Sequence, residues 1–307
     1  MAAPLSHPKP LRPGDRVRLV AASSALETGE RLQLGMEVLR SWGLEVEERP
    51  ELVGRRWGFL AGADHQRAAD LHPGDTSSQT GAAALLACVR GGWGAARLLE
   101  QDLPDHNAWL LGFSDVTSLL WERLARGRGG AIHGPLLTTL AAEPTWSQDR
   151  LRALLFGEPL PDLEGEGWQS GVAAGPLLAA NLTVATHLLG TRHLPDLRGA
   201  ILVLEDVAEA PYRLERMLTH WRLCGALQQL AGIGFGNFRD CVDHDRSNQP
   251  SHHYFTAEQV LRERTADLGI PVVAQLPVGH WPGNGALPLG SLATLDGRTG
   301  RLSLAGS

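Results

Sequence analysis

Apolar residues along the first 140 positions alternate between short continuous runs and stretches with a helical period. The runs Arg16–Ala22, Leu44–Glu47 and Ala108–Leu111 predict strands, because an unbroken apolar run bounded by turn residues suits a strand covered on both faces. Glu30–Trp42 and Ala63–Leu71 carry the helical spacing, as does Val116–Leu124, and Ala82–Val89 reads as a passage from helix into strand. This alternation predicts an α/β domain with a mainly parallel sheet, whose functional groups gather at the carboxyl ends of its strands.

The pattern breaks between about Ala141 and Ser170. Pro144, Pro159, Pro161 and several glycines predict an irregular inter-domain linker there. It separates a first domain, 1–140, from a second, 171–307. In the second, Gly199–Leu204 is a hydrophobic strand that runs into Glu205-Asp206. Tyr212–Leu223 and Ala257–Asp267 are helical, Gly232–Phe238 and Ile270–Leu276 extended, and Ser291–Leu304 closes the chain in short strands. No repeat or low-complexity segment is evident.

Composition narrows the possibilities. At 307 residues and 43% hydrophobic content the chain can bury the cores of two domains. A net charge of −6 argues against nucleic-acid and membrane-surface partners. Lys9 is the only lysine, so a lysine nucleophile has just one candidate position. Cys88, Cys224 and Cys241 are too few and too scattered for a disulfide framework or a cysteine zinc site. The proline-rich segment Met1–Pro13 lacks the apolar stretch of a secretory leader, and no run approaches membrane-spanning length. A soluble, cytoplasmic protein is expected.

One corner of the chain has the layout of a nucleophile site. In Leu110-Leu-Gly-Phe-Ser-Asp-Val116 a predicted strand turns through Gly112 and Ser114 directly into a helix. Such a turn exposes the serine hydroxyl at the top of the sheet beside free backbone N–H groups. Val116 stands where the usual Gly-x-Ser-x-Gly elbow has its last glycine. Asp115 is placed to cap the helix, as is common for Ser and Asp at this position.

A serine needs a base to take its proton and an acid to orient that base. Among twelve histidines, His133 and His280 each follow an apolar strand and are flanked by glycine. His280, in Pro277-Val-Gly-His-Trp-Pro-Gly-Asn284, is preferred because its glycines permit close approach to another domain. Glu205, leaving an apolar strand, is the candidate acid, and Asp206 is the more natural cap. The cluster Arg90-Gly-Gly-Trp-Gly94 suits an oxyanion or carboxylate site, since it lacks the lysine and spacing of a phosphate loop.

Taken in order, these pieces resemble the LD-carboxypeptidases, a serine peptidase family that includes the microcin-immunity peptidases. The resemblance is carried by Leu11-Arg-Pro-Gly-Asp15, Ala21-Ala-Ser-Ser24, Arg67-Ala-Ala-Asp-Leu71, Arg90-Gly-Gly-Trp-Gly94 with Arg97-Leu-Leu99, and Gly112-Phe-Ser-Asp-Val-Thr117. His133-Gly-Pro135, Asn181-Leu182 with Leu189-Gly-Thr191, Leu204-Glu-Asp206 with Pro211-Tyr-Arg213, and Gly279-His280 with Asn284 and Leu287-Pro-Leu-Gly290 extend it over nearly the whole chain.

The resemblance implies a Ser114, His280 and Glu205 triad, with an oxyanion hole from the backbone N–H groups of Asp115 and Gly92. It also implies a flavodoxin-like or amidotransferase-like N-terminal domain and a smaller, β-rich, swivelling C-terminal domain, with the site between them, usually in a homodimer. No cofactor or metal is implied. The substrate class that the resemblance implies is murein tetrapeptide, with release of the terminal D-alanine. Arg90, Trp93, Asn181 and Arg213 are candidate substrate contacts, the arginines as bidentate readers of carboxylates.

The chain departs from the family pattern at Ala179-Ala180 before Asn181 and at Trp93 and Trp281. It has no evident long insertion of the kind that would favour an aminoacyl-nucleotide substrate, the microcin-immunity alternative. The rival readings are an inactive murein-peptide binding protein and an α/β-hydrolase. A metal hydrolase built on Asp240, Asp243, His244, Asp245, His252 and His253 is a further rival, though this cluster lacks helical ligand spacing.

Overall fold

A computed structural model describes residues 5–74, 81–243 and 254–305. The elements in chain order are β1 (Arg16–Val20), α1 (Glu30–Ser41), β2 (Glu45–Val46), α2 (Asp64–Asp70), β3 (Leu85–Cys88), β4 (Trp109–Gly112), α3 (Thr117–Ala125), β5 (Ala131–His133), α4 (Leu137–Leu140) and α5 (Thr145–Phe156). There follow β6 (Leu163–Glu164), β7 (Glu166–Gln169), β8 (Val172–Asn181), α6 (Leu182–Leu188), β9 (Ile201–Val207), α7 (Pro211–Leu223), β10 (Gly232–Arg239) and α8 (Ala257–Thr265). The chain closes with β11 (Val272–Ala274), β12 (Leu287–Leu289), β13 (Leu292–Asp296) and β14 (Arg301–Leu304).

Two sheets result. The first has the order β12-β5-β4-β3-β1-β2 and is parallel except for β12. Its middle strands β3 and β4 are buried along their whole length, as the continuous apolar runs predict. The second has eight strands, β6-β14-β13-β8-β9-β10-β11-β7, with parallel β8 to β11 at its centre. Among the described residues no helix is long and apolar enough to cross a membrane.

Two sequence expectations are corrected. The stretch 141–170 is not irregular: it holds the twelve-residue α5 and strands β6 and β7. Pro144 immediately precedes α5 and Gly157 closes it in the left-handed conformation, so the turn residues mark the ends of a helix. Leu151 and Leu155 are fully buried, in one core with Leu19, Leu85 and Ile132. Second, the sheets are not built from separate halves of the chain. β12, from the C-terminal region, pairs antiparallel with β5 and completes the first sheet.

Helix α3 locks the two sheets in register. Trp121 is fully buried, donates its indole N–H to Ala179 O on β8 (3.0 Å), and meets the buried Trp221 of α7 edge-on at 6.3 Å. Asn181 N donates to Thr117 Oγ1 at 3.1 Å, and Glu122 pairs with His193 across the same seam. Because α3 begins three residues after Ser114, this seam fixes where the serine stands relative to β9. Trp121→Ala is expected to cost about 3–5 kcal/mol, the usual range for an aromatic truncated in a packed core. Urea unfolding against wild type measures it.

Candidate active site

Ser114 lies where the elbow reading puts it, between β4 and α3. Its φ is +62°, in a region that a residue with a Cβ adopts only when its surroundings force it. Its Oγ is 3.2 Å from His280 Nε2, and His280 Nδ1 is 2.5 Å from Glu205 Oε2. The buried Glu205 carboxylate accepts the Nδ1 proton, which leaves Nε2 as the acceptor for the serine hydroxyl. Side chains 166 positions apart in sequence are thus brought within hydrogen-bond reach.

Each member is held by its own element. Glu205 sits on central strand β9, fully buried. Side chains alternate across a strand, so its neighbour Asp206 points to the opposite face. There Asp206 accepts from Asn181 Nδ2 (2.9 Å) and from Thr183 N and Oγ1 (2.9 and 2.8 Å), closing the start of α6. Burial and the Glu205 charge push Asp206 up to about 6, against the pull of these donors.

Gly279 has φ +120°, and a Cβ there would stand 2.9 Å from Glu205 Oε2. Only glycine lets the His280 loop approach the acid this closely. The Phe113 ring backs the imidazole at 4.8 Å. Burial pulls the His280 pKa down, but the hydrogen bond and charge of Glu205, with the charge of Asp206, outweigh it and raise the net value above 6.5.

His133, the competing base, is fully buried behind Phe113, and neither ring nitrogen has a partner among the described residues. Burial and the nearby His280 lower its pKa to about 3. It is a neutral core residue.

The glycine loop stands beside Ser114. A Cβ at Gly91 would lie 3.1 Å from Ser114 Oγ. At Gly92, where φ is +111°, a Cβ would overlap Ser24 Oγ at 2.3 Å. Among the described residues nothing accepts a hydrogen bond from the Gly92 N–H. The rest of the loop is tied down: Trp93 N donates to Ser24 Oγ (3.0 Å), and the fully buried Arg67 donates to Gly94 O (2.8 Å) and to Ala22 O. Asp115 does not cap its own helix. Its carboxylate accepts from Ala95 N at 2.8 Å and holds the loop from below, while burial raises its pKa.

The sequence-selected substrate contacts fare differently. Trp93 is exposed on the loop and touches His187 edge-on at 6.1 Å. Asn181 is turned inward: its Oδ1 caps Val184 N and its amide binds Asp206. Arg90 donates to Ala25 O (2.7 Å) and braces the segment beside Ser24. Arg213 lies on α7 against Glu209 and Tyr212, lining a separate groove of about 540 Å³.

Sequence reasoning missed Glu143. Its Oε2 accepts from Gly283 N (2.6 Å) and Asn284 N (3.0 Å), and Asn284 Oδ1 in turn accepts from Gly279 N (2.9 Å). The segment before α5 thereby grips the His280 loop. No local motif marks such a contact.

Of the metal-hydrolase rival, His244, Asp245, His252 and His253 lie outside the described residues. Asp240 pairs with Arg239. Among the described residues no group of three or more His, Cys, Asp or Glu is placed to hold a metal ion.

Comparison with known proteins agrees with this architecture. Residues 17–134 match the LD-carboxypeptidase N-terminal domain and residues 174–295 the LD-carboxypeptidase C-terminal domain. A protein of Synechocystis sp. named "Putative carboxypeptidase" is 48% identical over 96% of each chain. The murein tetrapeptide carboxypeptidase of Pseudomonas aeruginosa is 33% identical over 92% of this chain and 93% of its own. The crystal structure of muramoyltetrapeptide carboxypeptidase from Oxalobacter formigenes superposes with a TM-score of 0.80 at 25% identity, covering 94% of this chain and 97% of that one. With both family domains matched in order and a relative this similar end to end, the chain belongs to the LD-carboxypeptidase family.

Proposed function

We propose that the protein is a serine-type LD-carboxypeptidase that removes the terminal D-alanine from murein tetrapeptide in cytoplasmic cell-wall recycling. The observation that carries this reading is the Ser114–His280–Glu205 relay, with separations of 3.2 and 2.5 Å, formed across two sheets. Family membership and the name of the Pseudomonas relative support the substrate class.

In this mechanism His280 Nε2 takes the hydroxyl proton as Ser114 Oγ bonds to the scissile carbonyl carbon. The oxyanion is received by the Gly92 and Asp115 N–H groups. His280 then gives the proton to the departing amine and the C–N bond breaks. Water attacks the acyl-enzyme, its proton passing through His280 back to Ser114 Oγ. The 3.2 Å gap is at the outer edge of hydrogen-bond reach, a common state of catalytic pairs without substrate.

Incubation with murein tetrapeptide, followed by mass spectrometry, tests the reading. Loss of one alanine is expected, and an unchanged peptide would overturn it. The pH profile adds a second check. His280 must be neutral to act as base, and its pKa is raised above 6.5. The acid limb of kcat/KM is therefore expected above pH 6.5, with activity rising as pH increases through it.

A further inference from the structure

His280 opens onto a cleft of about 490 Å³ that also touches α1, α4 and the end of β10. Two arginines that no sequence motif singles out line it, Arg31 on the first turn of α1 and Arg239 at the end of β10. Arg239 Nη1 donates to His280 O at 3.2 Å, which keeps its guanidinium beside the base, and its Nε lies 3.3 Å from Asp240. Arg31 is exposed and has no hydrogen-bond or ion-pair partner among the described residues. Glu143 is the only carboxylate among the lining residues, and its Oε2 is already taken by the Gly283 and Asn284 N–H groups. Phe113 and Trp281 supply apolar wall.

The chemistry of the reaction says where a positive charge is needed. His280 protonates the departing amine, so that nitrogen must come within about 2.6–3.2 Å of Nε2. In the residue being released, the carboxyl carbon is two bonds from the same nitrogen, about 2.5 Å away. The terminal carboxylate therefore lies within roughly 6 Å of Nε2. Arg239 and Arg31 border the space that His280 faces, whereas Arg90 is committed to Ala25 O and Arg213 lines a different groove.

Resting on the carboxypeptidase reading, we propose that Arg31, assisted by Arg239, binds the C-terminal carboxylate of the residue to be released. A planar guanidinium without a competing partner takes a carboxylate in a two-pronged, charge-assisted geometry. This pair limits the enzyme to the free end of a peptide, because an internal bond or an amidated terminus presents no anion at that position.

The test separates binding from turnover. In a Ser114→Ala background, murein tetrapeptide and the same peptide amidated at its C-terminus are titrated by calorimetry. The acid is expected to bind about 10–100-fold more tightly than the amide, the range of a charged hydrogen-bonded contact. Adding Arg31→Gln is expected to abolish that preference, and Arg31→Lys to restore part of it. In the enzyme with Ser114 intact, Arg31→Gln is expected to raise KM for the acid about 10–100-fold with kcat within about twofold. Equal binding of acid and amide, or a preference that survives Arg31→Gln, overturns the proposal. A carboxylate preference removed by Arg31→Gln, in a protein that releases no alanine when Ser114 is present, overturns the activity reading and leaves the subsite standing.

Discussion

Replacing Ser114 with alanine is expected to lower turnover by about 10⁶ while leaving peptide binding and the fold intact. In a well-studied triad hydrolase, loss of the serine costs about that much in kcat, because the remaining groups have no nucleophile to activate. The effect on folding is small for structural reasons. The Oγ has one hydrogen bond among the described residues, to His280, and removing it opens no sizeable cavity. Ser114→Gly sharpens the test. At φ +62° a Cβ is strained, so glycine relieves the backbone and is expected to raise stability by about 1 kcal/mol although activity is equally lost. Steady-state kinetics and thermal melting of both variants check it. Turnover near the wild-type rate in either would remove Ser114 from the mechanism.

Glu205→Gln is expected to reduce kcat by about 10⁴ with little change in KM, as an acid-to-amide change does in a serine protease. The carboxylate stands 2.5 Å from Nδ1 and accepts its proton in a hydrogen bond, and in the proposed mechanism it balances the positive imidazolium that forms as Ser114 attacks. An amide is neutral. If its NH₂ faces Nδ1, the imidazole is forced into the tautomer whose Nε2 carries the proton and cannot accept one. Asp206 is no substitute, being on the other face of β9 with its oxygens engaged at the start of α6. The same variant removes the charge and the charged hydrogen bond of Glu205, the larger of the influences that raise the His280 pKa, so the residual activity is expected to show its acid limb at lower pH than wild type. A twofold loss with an unmoved limb would reduce Glu205 to a structural role.

Both outcomes depend on an arrangement that spans the molecule. Ser114 comes from the first sheet and Glu205 from the second, and His280 rides on a loop that Glu143 holds by two backbone N–H groups. The strand donated by β12 to the first sheet follows directly after that loop. The His280 loop is thus tethered on both sides: by Glu143 on the segment before α5, and by β12 in the sheet that carries Ser114.

Local order along the chain was sufficient for much of this. β1, α1, β4, α3, β9, α7 and β10 lie within a few residues of where the apolar spacing puts them, since burial on one stripe or two faces writes itself directly into the sequence. The corner at Ser114 was legible because strand, glycine, serine and helix follow one another without a gap. The long strand β8, buried only toward its C-terminal end, was not, because its Ala173-Ala174-Gly175-Pro176 and Ala179-Ala180 are poor strand formers that the flanking parallel partner and tight packing override. Helix α5 was hidden by the prolines and glycine that bound it.

The choice between neighbours was a tertiary matter. Local sequence separates the adjacent acids Glu205 and Asp206 only by capping tendency, and the side of β9 each faces, set by its pairing with β8 and β10, brings Glu205 and not Asp206 to His280. Likewise His133 and His280 both follow apolar strands, but one is sealed behind Phe113 and the other reaches Ser114. Arg31, Arg239 and Glu143 carry no local signature, because their position beside His280 comes from chain segments brought together by the packing of α1, α4 and the His280 loop. Residue types and their local spacing are properties of a short stretch of chain. Which of them meet is decided by contacts between segments far apart in sequence, and no local pattern encodes those.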